Sequence, residues 1–170
     1  MDMIYERKNI SMIACIGKNR ELGKDNKLIF HFKKDMQFFK TMTMDNAIFM
    51  GSKTFKSLPN ILPEREHIIL THKNASEFPE GVIVVNNLED AFDKFRFFDD
   101  HLKFVYVIGG ASIYEQMLPY AQTIILTHID AEAEADCYFP TFNENDYRIK
   151  TIFTGYEEGT KFEIVKYTRK

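Results

Sequence analysis

A single acidic residue is the sharpest candidate for chemistry in this chain. Asp35 lies on a predicted helix and shares a face with Phe38, Phe39 and Met42, at i+3, i+4 and i+7. A carboxylate on an apolar stripe is desolvated, which raises its pKa and suits it to proton transfer. The simpler interpretation is an ordinary first-turn aspartate stabilised by the helix dipole. The pattern alone favours this second interpretation, because buried acids are rare.

A pair of glycines separates a predicted strand from a predicted helix. The apolar run 104–108 leads into Gly109 and Gly110, and a helix begins around Ala111 or Ser112. Free N–H groups and the positive end of the dipole at such a helix start suit a phosphate. The spacing is not that of the dinucleotide fingerprint G-x-G-x-x-G. A tight turn and a ligand loop are therefore equally good interpretations of the pair.

An arginine in a turn is a candidate for binding a carboxylate. Arg65 follows Pro63 and Glu64 just before a predicted strand, and an arginine held by a turn can bind a carboxylate through two hydrogen bonds. The alternative is a surface arginine paired with Glu64 or Glu66. Taken alone, the local sequence favours that alternative.

Polar and basic side chains follow other predicted strands, where they could contact phosphates. These residues are Lys53, Thr54, Thr71, His72 and Lys73. Ordinary solvated loop residues are the default alternative. Tyr114 and Thr127 also fall near element ends that face the presumed cleft. Either could equally be a core residue whose hydroxyl is satisfied locally.

The elements that must position these residues alternate between strand and helix. Apolar periodicity predicts strands over residues 10–16, 47–50, 67–71, 82–85, 104–108, 123–129, 147–154 and 161–168. Helices are predicted over 33–43, after Gly51, after an Asn87 N-cap and after Gly110, and 17–31 reads as a long polar loop. This order predicts an α/β fold: an open, mainly parallel sheet with helices on both faces and an antiparallel edge. Ligands bind such sheets beyond the carboxyl ends of the strands.

Composition limits the possible classes of protein. A chain of 170 residues that is 45% hydrophobic fits one globular domain, predicted over 10–170 after a short extension at 1–9. The net charge of -3 argues against a general nucleic-acid binder, and no apolar run is long enough to span a bilayer. Cys15 and Cys137 predict buried thiols in a reducing cytoplasm. The histidines show no metal-ligand spacing, so no metal site is expected.

Taken together, short segments of the chain resemble bacterial chromosomal dihydrofolate reductases, from Ile10 to the C-terminus. Each segment is short, but their shared order and spacing make the combined match specific. They are 10–14, 49–51 with 53–55, 62–63 with Arg65, 107–110, 113–116, 126–132, and Asp136 with 138–140.

The resemblance implies a fold and a reaction. The fold is a three-layer α/β arrangement with a central, mostly parallel eight-stranded sheet, an antiparallel C-terminal hairpin at its edge and about four flanking helices. The reaction moves a hydride from C4 of NADPH to C6 of 7,8-dihydrofolate and adds a proton at N5. The product, 5,6,7,8-tetrahydrofolate, supports one-carbon metabolism and thymidylate synthesis. A monomeric, cytoplasmic enzyme that binds antifolate inhibitors and neither nucleic acid nor membrane is expected.

The resemblance also implies residue roles toward the substrate. Asp35 is the single acid, which binds the pterin and promotes N5 protonation through water. Arg65, with Lys40 nearby, is similar to the clamp for the glutamate α-carboxylate. The remaining expected substrate contacts are Ile13, Cys15, Leu28, Met36, Phe39, Leu58, Leu62, Ile108, Tyr114 and Thr127.

Cofactor contacts are implied in the same way. Residues 21–27 correspond to the mobile loop that closes over nicotinamide, and 109–116 correspond to the pyrophosphate turn. A cis peptide bond is expected between Gly109 and Gly110. The full expected set is Cys15, Ile16, Leu22, Gly23, Asn26, Lys27, Gly51, Ser52, Lys53, Thr54, Thr71, His72, Lys73, Ile108, Gly109, Gly110, Ala111, Ser112, Ile113, Tyr114 and Gln116.

The chain departs from the family pattern at four positions. Ile29 and Phe30 stand where the family usually has Pro-Trp, which removes an indole N–H that holds a water near the acid. Lys33 replaces a usual proline at the helix start. Ser52 stands where an arginine often contacts the 2′-phosphate of NADPH, and Lys53, His72 and Lys73 are expected to compensate.

Two other functions compete with this reading. One is reduction of another pterin- or pyrimidine-like substrate on the same fold, as in riboflavin biosynthesis. Such relatives would not need Asp35, Arg65 and Thr127 together, and this chain has all three. The other is a folate- or nucleotide-binding protein without turnover, which Ile29 and Phe30 make conceivable.

Overall fold

The computed structural model describes residues 9–170. Apart from Asn9, the predicted extension 1–9 lies outside the described residues. Asn9 is itself buried, and its side-chain amide donates to the carbonyls of Phe95 at 3.2 Å and Lys103 at 3.1 Å. Asn9 therefore links the chain just before Ile10 to the backbone at Phe95 and Lys103.

Strands and helices alternate much as predicted. The strands are β1 (Ile10–Ile16), β2 (Glu21–Lys24), β3 (Lys27–Leu28), β4 (Ala47–Gly51), β5 (Glu66–Leu70), β6 (Ile83–Val85), β7 (Val105–Gly109), β8 (Thr123–Ile129), β9 (Cys137–Tyr138), β10 (Tyr147–Glu157) and β11 (Thr160–Arg169). The α-helices are α1 (Lys33–Thr43), α2 (Ser52–Ser57), α3 (Leu88–Asp100) and α4 (Ala111–Met117). The predicted bounds of β1, β8 and α1 are confirmed. The predicted N-cap of α3 is confirmed too, since Asn87 Oδ1 accepts from Asp90 N–H at 2.8 Å.

The main sheet has eight strands in the order β10-β11-β8-β1-β7-β4-β5-β6. Strand β1 runs parallel to both β7 and β8, and β4 runs parallel to β5 and β7. Only β10 and β11, which form the C-terminal hairpin, are antiparallel to their neighbours. The predicted α/β fold, a mostly parallel sheet with an antiparallel hairpin at one edge, is confirmed.

Two apolar cores cover the two faces of the sheet, because side chains alternate along each strand. Ile10 and Met12 of β1 pack into the core that includes residues of α3 and α4. Ile13 points to the opposite face, where the core includes Phe38 and Phe39 of α1. The candidate residues Cys15 and Asp35 belong to this second side of the sheet. Helices on both faces give the three-layer arrangement.

A crevice opens in the middle of the sheet because two parallel strands part. Strands β1 and β7 pair from Ile10–Val105 to Met12–Val107, whereas β1 and β8 stay paired to Ile16–His128. Ile13 lies just beyond the last pair between β1 and β7. The carboxyl ends of these strands therefore separate, and this is the position at which open α/β sheets bind ligands.

The predicted long loop 17–31 is wrong in one respect, because it contains regular structure. Strands β2 and β3 form a hairpin that pairs with β9 in a separate three-stranded sheet. Asp25 and Asn26, the two residues of the turn, both have positive φ, at 52° and 62°. These angles are typical of a type I′ hairpin turn, which Asn and Asp tolerate better than most residues. The Asp-Asn pair was the local signal for this hairpin.

The two cysteines differ in environment. Both thiols are free; Cys15 is half-buried, but Cys137 on β9 is exposed, so the expectation of two buried thiols is wrong for Cys137. It is exposed because β9 belongs to the small surface sheet rather than to the main one. Among the helices of residues 9–170, none is long and apolar enough to cross a membrane.

Two phenylalanines of α3 provide a matched test of the core. Phe95 is fully buried, with ring contacts to Phe49 at 5.0 Å and Phe92 at 5.6 Å, whereas Phe97 is 54% exposed. We expect Phe95→Ala to lower the free energy of unfolding by about 3–5 kcal/mol. Phe97→Ala makes the same change in helix propensity on the same helix, and we expect it to lower the free energy of unfolding by less than about 1 kcal/mol. Urea denaturation measures both, and equal losses would contradict the proposed core.

Candidate active site

The carboxyl group of Asp35, on α1, is bound by residues of the main sheet. Asp35 lies in the first turn of α1, and the Thr127 hydroxyl on β8 donates to its Oδ1 at 2.5 Å. Cys15 on β1 lies opposite Thr127 in the sheet, and its thiol is close enough to Asp35 to lower the pKa of the carboxyl group. Two neighbouring strands therefore fix one carboxylate, which confirms that the apolar stripe of α1 carries Asp35 against the sheet.

Burial dominates the electrostatics of this group. It raises the pKa of Asp35, while the hydrogen bonds from Thr127 and Cys15 act in the opposite direction and the Glu157 carboxylate raises it further. Burial and the adjacent Asp35 charge raise the pKa of the Cys15 thiol well above its usual range. Cys15 therefore remains a neutral thiol that can donate. A raised pKa favours protonated Asp35, which is the form that a general acid requires.

An apolar wall lies on the same side of the sheet as Asp35. The predicted pocket residues that share this core are Ile13, Cys15, Phe39, Leu58, Leu62 and Ile108. All of these except Ile13 are only partly buried, so part of their apolar surface stays accessible to a ligand. Phe30 packs in the same core. It supplies an aromatic surface but has no N–H to donate.

Three predicted substrate residues stand apart from this wall. Leu28 on β3 and Met36 on α1 are 61% and 58% exposed, and Lys40 is exposed in the last turn of α1. Of the described contacts, none joins these residues to Asp35. Their roles toward a substrate stay predictions.

Tyr114 and Thr127 are both buried, but their hydroxyls are used differently. Tyr114 on α4 packs in the opposite core and donates to the Ile13 carbonyl at 2.7 Å. This carbonyl lies where β1 has parted from β7, so Tyr114 replaces a partner that the sheet no longer supplies. The alternative of a locally satisfied core residue fits Tyr114. Thr127 instead directs its hydroxyl to the acid.

A buried histidine fixes the turn that carries Arg65. His67 is 1% exposed; its Nε2 accepts from Leu62 N–H at 3.1 Å and its Nδ1 lies 3.0 Å from the Arg65 carbonyl. These partners require a neutral ring with the proton on Nδ1, and burial lowers its pKa accordingly. The Arg65 guanidinium donates to the Pro63 carbonyl at 3.1 Å and to Thr43 Oγ1 at 3.3 Å. Arg65 is therefore anchored at the end of α1.

The glycine turn brings two helix starts close together. The Gly109–Gly110 peptide is cis, as expected. Gly109 has a φ of +116°, and a Cβ there would meet the Tyr114 ring at 3.1 Å, so this position requires glycine. A Cβ on Gly110 would lie 3.5 Å from Thr54 Oγ1, and one on Gly51 would lie 3.3 Å from Ile113. The beginnings of α2 and α4 therefore adjoin.

Two lysine side chains, Lys56 and Lys73, lie close together near the end of β5. Thr71 and His72 follow this strand, and the Thr71 hydroxyl accepts from the Lys73 amide at 3.2 Å. The side chain of Lys73 reaches Lys56 of α2, and the hydrogen bond and charge of this neighbour lower the pKa of Lys56. Lys56 thus adds a positive charge beside Lys73, whereas the sequence had predicted this charge from Lys53, His72 and Lys73.

The other predicted cofactor residues fall into two groups. Ile16, Leu22 and Ile113 are buried in the core next to α3 and α4. The remaining residues are partly or fully exposed: Gly23, Asn26, Lys27, Ser52, Lys53, Ala111, Ser112 and Gln116. Gln116 donates to the Ser112 hydroxyl at 3.1 Å, which links two of them along α4. Contact of either group with a cofactor stays a prediction.

Comparison with known proteins adds to this geometry. The family model described as dihydrofolate reductase matches residues 9–169. This chain belongs to the dihydrofolate reductase family. The dihydrofolate reductase of Bacillus subtilis is 38% identical over 158 residues, which cover 93% of this chain and 89% of that protein. Dihydrofolate reductase HdrB of Haloferax volcanii is 34% identical over 94% of this chain and 82% of its own length.

A third relative extends the comparison to another bacterium. The dihydrofolate reductase of Haemophilus influenzae is 34% identical over 82% of this chain and 84% of that protein. Membership of the family makes this chain an oxidoreductase that reduces dihydrofolate to tetrahydrofolate. Within residues 9–170, no group of three or more His, Cys, Asp or Glu side chains lies close enough together to hold a metal ion.

Sequence reasoning did not identify the contacts that three residues near the predicted site make: His67, Lys56 and Glu21. His67 and Lys56 gave no local signal, because their partners lie elsewhere in the fold. Glu21 is a buried carboxylate that accepts from the amides of Asn19 at 2.6 Å and Ala133 at 2.9 Å. The two amide bonds lower its pKa although burial opposes them. Glu21 thereby joins the β2 hairpin to the segment after β8.

Thr127 offers a direct test of how the acid is held. Thr127→Val keeps the shape of the side chain but removes the hydroxyl, so we expect the pKa of Asp35 to rise by about one pH unit. Thr127→Ser retains the donor and serves as the control. Carbon-13 NMR titration of the Asp35 carboxyl measures the change. A midpoint that stays the same or falls in Thr127→Val would remove Thr127 from this role.

Proposed function

We propose that this chain uses NADPH to reduce dihydrofolate and that Asp35 promotes protonation of the substrate at N5. The observation that carries the proposal is the desolvated Asp35 carboxyl, which Thr127 holds beside an apolar wall. A single acid suffices because the reaction needs one proton. NADPH, when bound, supplies the hydride, so the protein contributes orientation and electrostatics.

The apolar wall and Asp35 together suit a pterin ring. A flat heterocycle can pack against Ile13, Phe39 and Ile108, which share one face of the sheet. Its polar edge would then meet the Asp35 carboxyl, the only acid we assign to this wall. Phe30 cannot donate a hydrogen bond, so a water that delivers the proton to N5 would be held by Asp35 itself.

The Arg65 turn suits the carboxylate at the other end of the substrate. Arg65 is anchored by Pro63 and Thr43, which leaves its orientation well defined. A preorganised guanidinium loses less entropy when it binds a carboxylate through two hydrogen bonds. We assign the glutamate α-carboxylate to Arg65, with Lys40 as a nearby surface cation.

The chain's residues fit the phosphates of NADPH. Gly51 and Gly110 let the starts of α2 and α4 approach each other, and the Thr54 hydroxyl lies beside Gly110. This arrangement supplies hydrogen-bond donors for a pyrophosphate. Lys56 and Lys73 supply positive charge for a 2′-phosphate. They compensate for Ser52, which carries no charge.

The remaining expectations accompany this proposal. The protein would act as a monomer in the cytoplasm, would bind antifolates at the Asp35 wall, and would bind neither nucleic acid nor membranes. The negative net charge of -3 supports the expectation about nucleic acid.

A spectrophotometric assay tests the reaction and the cofactor together. We expect the absorbance of NADPH to fall only when dihydrofolate is present, and kcat/KM to be at least about tenfold lower with NADH, which lacks the 2′-phosphate that Lys56 and Lys73 would meet. Absence of turnover at every pH, combined with tight calorimetric binding of both ligands, would favour a binding protein. Equal use of NADH would contradict the proposed lysine site.

Asp35→Asn separates the function of the acid from its effect on stability. We expect hydride transfer to fall about 100-fold near neutral pH and less at low pH, where the substrate arrives protonated. The raised pKa of Asp35 stabilises the fold below the unfolded-state pKa, and this contribution is lost as pH rises through the folded-state pKa. The variant should therefore be more stable than the parent at pH 8 and similar at pH 3. Equal activity loss at all pH values would remove Asp35 from the proton role.

A further inference from the structure

The helix that carries Asp35 begins without a cap of its own. Phe32 occupies the N-cap position in an extended conformation, and its side chain makes no capping hydrogen bond. A phenyl ring cannot accept the backbone N–H groups that a helix start leaves free. The first residues of α1, Lys33 and Lys34, both have N–H groups that need a partner. That partner must come from another part of the fold.

Glu157, the last residue of β10, supplies it. Its Oε2 accepts from Lys33 N–H at 2.7 Å and its Oε1 accepts from Lys34 N–H at 3.1 Å. One carboxylate thus caps two amides from more than 120 residues away along the chain. The two amide bonds, followed by the charges of both lysines, lower the pKa of Glu157. Glu157 is therefore ionised at neutral pH.

The capped turn includes the acid itself. Asp35 follows Lys34 directly, so its backbone position depends on the turn that Glu157 holds. The side chain of Asp35 is bound separately by Thr127, which pairs with Ile164 of β11 in the sheet. Strand β11 pairs with β10, and Glu157 pairs with Thr160 at the hairpin turn. The hairpin β10–β11 therefore fixes α1 relative to the strand that binds the acid.

We propose that Glu157 is a positioning residue for Asp35: it caps α1 from the hairpin β10–β11 and places a fixed negative charge beside the acid. This inference rests on the proposed role of Asp35 in the reaction. Glu157 acts through α1 and touches neither substrate nor cofactor in this role.

The electrostatic consequence has a definite sign. The titratable and polar groups that interact with Asp35 are Thr127 on β8, Cys15 on β1, Tyr114 on α4 and Glu157 on β10. Lys33 and Lys34 precede Asp35 on its own helix and donate their N–H groups to Glu157. Only Glu157 and burial raise the pKa of Asp35 among these influences. Replacing the carboxylate by an amide also removes one of the two acceptors and frees an N–H group of α1, whose dipole favours an ionised Asp35. Both effects lower the pKa of Asp35.

Two variants divide the positional effect from the electrostatic one. Glu157→Gln removes the charge but keeps one oxygen that can accept from α1, whereas Glu157→Ala removes both. Glu158→Gln is the matched control, because it removes the same charge from the neighbouring residue of the exposed hairpin turn. Circular dichroism and urea denaturation establish that each variant is folded.

The decisive readout is the titration midpoint of the Asp35 carboxyl in the protein without ligands, measured by carbon-13 NMR. We expect Glu157→Gln to move it to lower pH by about half a pH unit, and Glu158→Gln to leave it unchanged. The descending limb of the pH profile of single-turnover hydride transfer should shift in the same direction. Glu157→Ala should in addition lower kcat about fivefold, in keeping with the loss of a helix cap.

Each outcome decides the question. An unchanged Asp35 midpoint in folded Glu157→Gln overturns the proposal even if stability falls, because Glu157 would then be a structural cap only. The same shift in Glu158→Gln would also overturn it, since any charge in the hairpin turn would have the effect. If Glu157→Ala does not fold, Glu157→Gln still decides. If Asp35→Asn stays active, the proposed function fails, but the NMR midpoint still tests the effect of Glu157 on Asp35.

Discussion

The hydrogen bond between Thr127 and Asp35 is the constraint on which the rest of the site depends. It joins the first turn of α1 to β8. It also keeps the Asp35 carboxyl group in a site where burial disfavours the charged form. Such a group is tolerated because two donors, Thr127 and Cys15, face it from adjacent strands in register. The register of β1 against β8 therefore determines whether the acid can exist at this position.

The crevice beside this acid depends on a second compensation. Parallel strands that part leave backbone groups without ladder partners, and an unsatisfied buried carbonyl costs about 1–3 kcal/mol. Tyr114 removes this cost at Ile13 by reaching through from the opposite face of the sheet. The same ring packs against Gly109, where no side chain would fit. The position of Tyr114 therefore accounts both for the glycine at 109 and for the satisfied Ile13 carbonyl beside the crevice.

The sequence predicted what local periodicity encodes. The apolar stripe of α1, the Asn87 cap of α3 and the alternation of β1 and β8 all follow from spacing within a few residues, and the structure confirms them. Local sequence did not identify the partners that the site needs from distant segments. His67 and Glu157 are unremarkable by spacing, since their function depends on groups that only the folded chain brings near. The β2–β3 hairpin was missed because its turn uses Asp-Asn rather than glycine.

Two departures from the family pattern, at Phe30 and Lys33, lie close to Asp35. Phe30 packs into the apolar core beside α1, and its ring has no N–H to donate to Asp35. Lys33 has an N–H where a proline would have none, and this N–H recruits the Glu157 carboxylate. A nearby carboxylate disfavours ionised Asp35. If Asp35 has the proposed role, the Glu157 charge helps to retain a proton on Asp35 to higher pH, which would partly offset the indole donor that Phe30 lacks.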